Sequence, residues 1–458
     1  MKRISLILLG IAFAAVSFGQ KSLHQLQQDF VDLRFGMFIH FNMPTFAPED
    51  WPDPDMPVSA FNPVKLNCSQ WAEAAKAANM SYGCLTTKHH SGFCIWDTKT
   101  TDYNSMNSPV HKDVVREYVD AFHKAGLKVM LYYSILDTHH RLRPGHITRD
   151  KVNMLKAQLR ELLTNYGEIT ALIIDGWDAP WSRISYDDVP FQEIYEYIKS
   201  LQPNCLVMDL NAAKYPREAL FYTDIKSYEQ GAGQKISTSE NQLPALACLS
   251  IQRTWFWKES MPTDKLKDVK WLVNENIVPY NKAYCNFILN VAPNRDGLMD
   301  DNAVEALKKI GKMWQNDGRV ADVPEAVAPI TQHNIAKHMP AESSWSYDMD
   351  IMDFANDDDF TTCWAPSPLL DQAHWEVSLG GPKAINMITI TEYKAGGVQE
   401  YNLEYLADGE WHPLASGKAF NRVDVVRFPA VRAEAVRLNI TKKTPEAAIS
   451  EVGVYSVE

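Results

Sequence analysis

Up to about residue 316 the chain alternates short apolar runs with amphipathic stretches of helical period; after that point turns alone separate the runs. This single change of rhythm constrains the fold more than any other feature. Strand-like runs fall at 35–40, 82–86, 128–133, 171–175, 206–209 and 284–290, with weaker ones near 220–223 and 253–257. Helical patterns fall between them at 70–79, 113–125, 150–166, 191–201 and 263–280. Strands that alternate with helices pair in parallel, because the helix carries the chain back to the start of the next strand. Eight such units fit a closed (β/α)8, TIM-like barrel. Later runs at 374–379, 387–392, 401–406, 423–428 and 435–440, with no helices between them, predict an all-β sandwich of jelly-roll type. The expected organisation is a barrel over 20–319, a connecting segment with Pro324 and Pro329 over 320–332, and a β-sandwich over 333–458.

Ahead of the barrel, Lys2 and Arg3 precede an apolar stretch at 4–18, and the small residues Ser17 and Gly19 stand before Gln20. That is the pattern of a cleavable secretory signal over 1–19, and it predicts a secreted or periplasmic protein. The stretch falls short of the roughly 20 apolar residues that span a bilayer, and no later run is comparably apolar, so membrane insertion is not expected. The sequence carries 45 Lys and Arg against 57 Asp and Glu, a formal charge of −12. An acidic surface disfavours phosphate backbones. With no basic cluster interleaved with aromatics and no Gly-rich phosphate loop, nucleic-acid and nucleotide partners are not expected. Cys68, Cys84, Cys94, Cys205, Cys248, Cys285 and Cys363 show neither C-x-x-C spacing nor scaffold density, so they do not specify the fold.

The active face of such a barrel is the C-terminal end of its strands. His40 ends the first predicted strand, Lys88, His89 and His90 follow the second, Tyr133 ends the third and Asp175 the fourth. Asp175 closes the apolar run Ala171, Leu172, Ile173, Ile174 and precedes Gly176 and Trp177, so a rigid strand would aim its carboxylate at a pocket. Glycoside hydrolysis needs such a group paired with a second carboxyl. Spacing alone leaves open that Asp175 caps the next helix or pairs with a barrel lysine. His89 and His90 are adjacent and point to opposite sides of an extended chain, so they do not make a metal site; no metal and no cofactor are expected. Neutral imidazoles at strand ends suit a ligand rich in hydroxyls, because they both donate and accept. Trp51, Trp96, Trp177, Trp181, Trp255 and Trp257 fall in or beside loops and strand ends of the barrel. Each taken singly could equally pack a core; as a set near one face they favour carbohydrate.

Residues 34–41 (RFGMFIHF), 85–97 (LTTKHHSGFCIWD), 129–134 (VMLYYS), 173–176 (IIDG) and 290–297 (NVAPNRDG) together resemble the retaining α-L-fucosidases of glycoside hydrolase family 29. Residues 45–53, with Glu49 and Trp51, are similar to the branch that prefers α-1,3/1,4-linked fucose. Residues 357–364 (DDDFTTCW), 375–380 (WEVSLG) and 449–455 resemble the discoidin-like, F5/8 type C domains, which bind sugar or buttress the barrel.

This resemblance implies an exo-glycosidase that removes terminal fucose by double displacement, with Asp175 as nucleophile. It implies that His40, His89, His90 and Tyr133 hold fucose hydroxyls and the ring oxygen, that Glu49 and Trp51 contact fucose, and that Trp255 and Trp257 wall its C6 methyl. For the acid/base, which the family places on a variable loop, Glu229 in KSYEQG is the choice, ahead of Glu240 and Glu259. Asn42, Ser91 and Ile173 depart from the family's usual Gly, Asp and Trp, and the Glu229 loop lacks the expected Trp and Asn. These departures are expected to crowd or reshape the sugar pocket. They imply weak or altered fucosidase activity, with another galactose-configured glycoside such as a galactoside accepted, or a catalytically feeble glycan-binding protein. The expected partners are fucosylated or galactose-configured oligosaccharides.

Overall fold

The computed structural model describes residues 19–318, 321–326, 328–346 and 351–457; the predicted secretory signal lies outside the described residues except for Gly19. Eight parallel strands form one nearly closed sheet: β1 (Phe35–Ile39), β2 (Tyr82–Lys88), β3 (Lys128–Ser134), β4 (Ala171–Asp175), β5 (Leu206–Asp209), β6 (Lys226–Glu229), β7 (Ala245–Ser250) and β8 (Cys285–Asn290). They run in the order β5-β4-β3-β2-β1-β8-β7-β6, so the ladder is complete except between β5 and β6. A side chain helps to close that seam. The backbone N–H of Val207 donates to the Asp224 carboxylate at 2.8 Å, and the Asp224 N–H donates to Val207 O at 2.8 Å. Lys199 and Tyr195, on the helix Phe191–Leu201, hold the same carboxylate at 2.7 and 2.8 Å.

The strands at 35–40, 82–86, 128–133, 171–175, 206–209 and 284–290 form where the sequence predicts them, but 220–223 and 253–257 are not barrel strands. Residues 220–222 pair instead with the connecting segment, through Tyr222 N–H to Ile330 O and Ile330 N–H to Leu220 O, both 2.9 Å. The true sixth strand carries Lys226, a charge that reads as surface; its buried ammonium donates to Tyr215 O at 2.6 Å and Pro216 O at 3.1 Å. The true seventh, ALACLS, is short of the β-branched residues that mark strands.

Side chains of the barrel strands alternate between two apolar layers. Phe38, Met130, Tyr132, Ile173, Met208, Cys248 and Ile288 fill the interior, while their neighbours pack outward against the helices. Lys88 lies in the outer layer, fully buried. Its ammonium reaches Tyr133 OH at 3.0 Å, Gln158 Oε1 at 3.1 Å and Asp137 Oδ2 at 3.5 Å. Burial works against the Asp137 carboxylate, yet Lys88 and hydrogen bonds from His140 hold its pKa down at about 2. Gly92 (φ +83°) is needed beside it, because a Cβ there would meet the same carboxylate at 2.1 Å. Lys88→Met is expected to strand Asp137 and cost about 3–5 kcal/mol. A melting temperature within a degree of wild type would refute that account of the lysine.

Beyond the barrel, β9 (Ala341–Ser343), β10 (Ala373–Glu392), β11 (Val398–Ala407), β12 (Glu410–Lys418), β13 (Val423–Lys443) and β14 (Ile449–Tyr455) form an antiparallel sheet. The order is β12-β11-β13-β10-β14, with β9 on β10. The runs predicted at 374–379 and 387–392 are two halves of β10, and those at 423–428 and 435–440 are two halves of β13. The register between the two strands shifts between Ser378 and Lys383 and again between Ile385 and Met387, irregularities of the kind that bend a strand. Trp364, Trp375, Val377, Leu438 and Val452 form the core of this domain. It packs on barrel loops: Phe360 meets Tyr215 and Phe221 at 5.4 Å each, and Lys337 bridges Asp358 (2.9 Å) and Asp187 (3.7 Å). Among the described residues no helix is long and apolar enough to cross a membrane.

Candidate active site

At the C-terminal ends of the strands lies a cavity of about 290 Å³, lined by Phe38, His40, Asp50, Trp51, His89, His90, Tyr132, Asp175, Trp181, Leu210, Glu229, Trp255 and Phe256. A larger cleft of about 510 Å³ sits beside Arg34 and Trp314 at the opposite end of the barrel and lacks such a convergence of carboxyls and imidazoles.

Asp175 is held on three sides. Tyr132 OH donates to Oδ2 at 2.6 Å, Asn211 Nδ2 donates to Oδ1 at 2.9 Å, and the Gly176 N–H donates as well. Burial raises the pKa of this carboxyl, and those three donors oppose the rise by favouring the ionised form. Asn211 is itself anchored, through its N–H to Asp209 Oδ1 at 2.9 Å. Asp209 in turn takes Tyr186 OH at 2.6 Å, and burial, reinforced by the Asp175 charge, pushes its pKa up to about 8.

Glu229 ends β6 as Asp175 ends β4. Burial, then the Asp175 charge, pushes its pKa up to about 7, against a hydrogen bond from the Trp255 side chain. Its own N–H donates to Gln234 Oε1 at 2.7 Å, which pins the turn that follows. The cavity therefore holds two carboxyls in different surroundings, one wrapped in donors and the other tuned to protonate near neutrality. That division suits acid and base roles within one site.

Three imidazoles share the wall. His40 Nδ1 bonds Asn290 Oδ1 at 2.8 Å, and because that oxygen only accepts, Nδ1 carries the proton and Nε2 is free to accept. His90 Nδ1 lies 2.7 Å from Ser134 Oγ, whose own proton goes to Leu136 O at 2.9 Å, so His90 Nδ1 is again the donor. Its Nε2 stands 3.8 Å from Asp175 Oδ2. Among the described residues His89 Nδ1 is buried without a hydrogen-bond partner. Burial drives His40 and His90 down to about 3 and His89 well below its ordinary value, so all three are neutral.

The cavity thus gathers Asp175, Glu229, His40, His89, His90, Trp51, Trp181 and Trp255 of the residues singled out in the sequence. Three others lie elsewhere. Tyr133 turns outward, its hydroxyl donating to Gln158 Oε1 at 2.5 Å, and its neighbour Tyr132 takes the inward place. Trp257 donates to Asp300 Oδ2 at 2.7 Å and packs with Met261 and Ala292, leaving the wall to Trp255 and Phe256. Glu49 is exposed, and Asp50 lines the cavity instead, braced by Lys258 at 3.0 Å. Of the weaker acid candidates, Glu240 pairs with Arg217 and Glu259 with Arg295, both at the exposed surface. Trp96 and Trp177 are fully buried, donating to Glu161 (2.9 Å) and Val189 O (2.8 Å).

The departures at Asn42, Ser91 and Ile173 do not form the cavity wall. Asn42 is buried and donates to the carbonyls of Thr86, Thr87 and Phe93, and Ile173 fills the barrel interior. Phe38, Asp50, Tyr132, Leu210 and Phe256 in the lining, and Asn211 behind Asp175, are the site residues that the sequence did not single out. Strand parity would have found Tyr132, since it shares its face of β3 with Ser134, the residue in register with Asp175.

A family model for α-L-fucosidase matches residues 54–319, and one for the F5/8 type C domain matches residues 338–452. Among curated relatives, α-L-fucosidase 1 of Arabidopsis thaliana is 28% identical, over 92% of this chain and 84% of its own length. The tissue α-L-fucosidase of Bos taurus is 25% identical, over 63% of this chain and 67% of its own. Among solved structures, α-L-fucosidase isoenzyme 1 from Paenibacillus thiaminolyticus matches with a TM-score of 0.57 at 24% identity, covering 92% of this chain and all of that one; at that identity the likeness concerns the fold. This chain belongs to the α-L-fucosidase family of glycoside hydrolases and carries an F5/8 type C domain after its barrel.

Proposed function

We propose that the chain is an exported, retaining exo-α-L-fucosidase. Asp175 attacks the anomeric carbon of a terminal fucose while Glu229, protonated near neutral pH, gives its proton to the departing oxygen. Glu229 then takes a proton from water as that water releases the sugar from Asp175. The observation that carries this reading is the pairing, in one cavity, of a donor-wrapped carboxylate with a second carboxyl whose pKa is about 7. The neutral His40, His89 and His90 supply donors and acceptors for hydroxyls. Phe38, Leu210 and Phe256 offer an apolar wall that suits the methyl of a 6-deoxy sugar better than the hydroxymethyl of a galactoside. Export rests on the leader pattern at 1–19, and an α-1,3/1,4 linkage on the resemblance around Trp51. The contacts of Phe360 and Lys337 with barrel loops support a buttressing role for the second domain.

The test is a comparison of an aryl α-L-fucoside with an aryl β-D-galactoside, with the first-formed anomer followed by NMR. The fucoside is expected to be the better substrate and to release α-L-fucose first. Initial release of the β anomer would overturn the double displacement. Tyr132→Phe removes the 2.6 Å donor from Asp175. It is expected to move the acidic limb of the kcat/KM profile up by about one to two pH units, the worth of one hydrogen bond to a charged group. An unmoved limb would mean that Tyr132 does not tune the nucleophile.

A further inference from the structure

Most of the cavity lining is buried: Phe38, His40, His89, His90, Tyr132, Asp175, Leu210 and Phe256 are each less than a tenth exposed. Asp50, Glu229 and Trp255 are partly exposed, and Trp51 and Trp181 stand most open, 48% and 42% exposed. They meet edge to face with ring centres 5.4 Å apart, and each packs on His90, at 4.6 and 4.3 Å. Two half-exposed indoles side by side at the mouth of a polar site are costly in water unless something covers them.

Both indoles sit on tethered loops. Trp181 follows β4 in a turn held by Ser182 N–H to Ala179 O (3.1 Å), Arg183 N–H to Ala179 O (2.9 Å) and Asp178 N–H to Ile184 O (2.6 Å). The Ser182 hydroxyl ties the same turn to Gly176 O, one residue past Asp175. Trp51 follows Asp50, which is fixed by Lys258 at 3.0 Å and by the Trp255 N–H at 3.3 Å. Backbone ties of this kind set the rings in place before any ligand arrives, which lowers the ordering cost of binding.

The cavity itself, at about 290 Å³, is at the small end for a ligand site, so an oligosaccharide that fills it with one ring must leave the rest outside. The rim is where the next ring emerges.

Resting on the fucosidase reading, the geometry points to Trp181, at the outer edge of the wall that Trp51 and His90 form, as a leaving-group subsite that takes a pyranose by stacking on its C–H face. Trp181 would thereby set which fucosides are cleaved well, through contacts the fucose ring does not make.

The test compares Trp181→Ala and Trp181→Phe with the unaltered enzyme on two substrates, α-L-fucosyl fluoride and an α-L-fucosyl disaccharide with a neutral hexose leaving group. The ratio of kcat/KM, disaccharide over fluoride, is expected to fall about tenfold in Trp181→Ala and to recover in large part in Trp181→Phe. Equal losses on both substrates, or an unmoved ratio, would overturn the inference. Turnover of the fluoride by the unaltered enzyme checks the fucosidase reading separately. Should that fail, calorimetric titration with the disaccharide and with free L-fucose reads the same contrast without turnover. Trp181→Ala is then expected to weaken the disaccharide selectively, and loss of both alike would overturn the subsite.

Discussion

Replacing Asp175 with glycine is expected to lower kcat for an aryl α-L-fucoside by about 10⁴-fold or more, the scale seen when the group forming the covalent bond is lost. Its carboxylate is the one held by Tyr132, Asn211 and the Gly176 N–H, so it is positioned and kept nucleophilic in a site that otherwise favours neutral groups. The change should also leave a space against Tyr132 that a small anion can enter. Added azide is expected to restore turnover and to yield the β-L-fucosyl azide, because azide would attack from the face that Asp175 occupied. Activity within tenfold of the unaltered enzyme, or azide rescue with the α configuration, would remove Asp175 from the nucleophile's role.

Glu229→Ala is expected to cost about 10²- to 10⁴-fold on a disaccharide, the usual range for losing a general acid, and far less on a dinitrophenyl fucoside whose leaving group needs no proton. The pH profile gives a second readout. Glu229 has a raised pKa, about 7, and acts as acid in its protonated form, so activity falls as pH rises through that value. Asp175 must be ionised, so activity also falls as pH drops through its own raised value. The two carboxyls interact, and the limbs belong to the pair. In Glu229→Ala the falling limb near pH 7 is expected to disappear. A limb that persists would assign the acid elsewhere.

Most of the barrel was legible because strand and helix periods differ and six strands carry apolar runs. The two that were misplaced fail for opposite reasons. β6 hides behind Lys226, a lysine whose hydrogen-bond partners, two backbone carbonyls, come from a loop ten residues away in sequence. The aromatic run at 253–257 has high strand propensity, yet its bulk serves the cavity mouth, with Trp255 and Phe256 in the wall. At the site, Asp175 was readable because it ends a predicted strand, whereas Glu229 came only from the family resemblance, since its strand β6 was not predicted. Tyr133 was chosen because it ends the predicted strand at 128–133; the strand runs on to Ser134, and it is Tyr132 that faces in. Asp50 was missed because loop side chains carry no period. Asn211 was missed because its place depends on Asp209, Tyr186 and the packing between β4 and β5.

The neutrality of His40, His89 and His90 has a consequence for how acidity acts on the protein. Burial keeps these rings from charging until the medium is far more acidic than the range in which Glu229 titrates. On the proposed reading, the surface that reads the hydroxyls keeps the same pattern of donors and acceptors while the proton-transferring pair switches on and off. Alkalinity would then throttle cleavage without loosening the grip on the sugar, and the enzyme would remain loaded, ready to resume as the pH falls again.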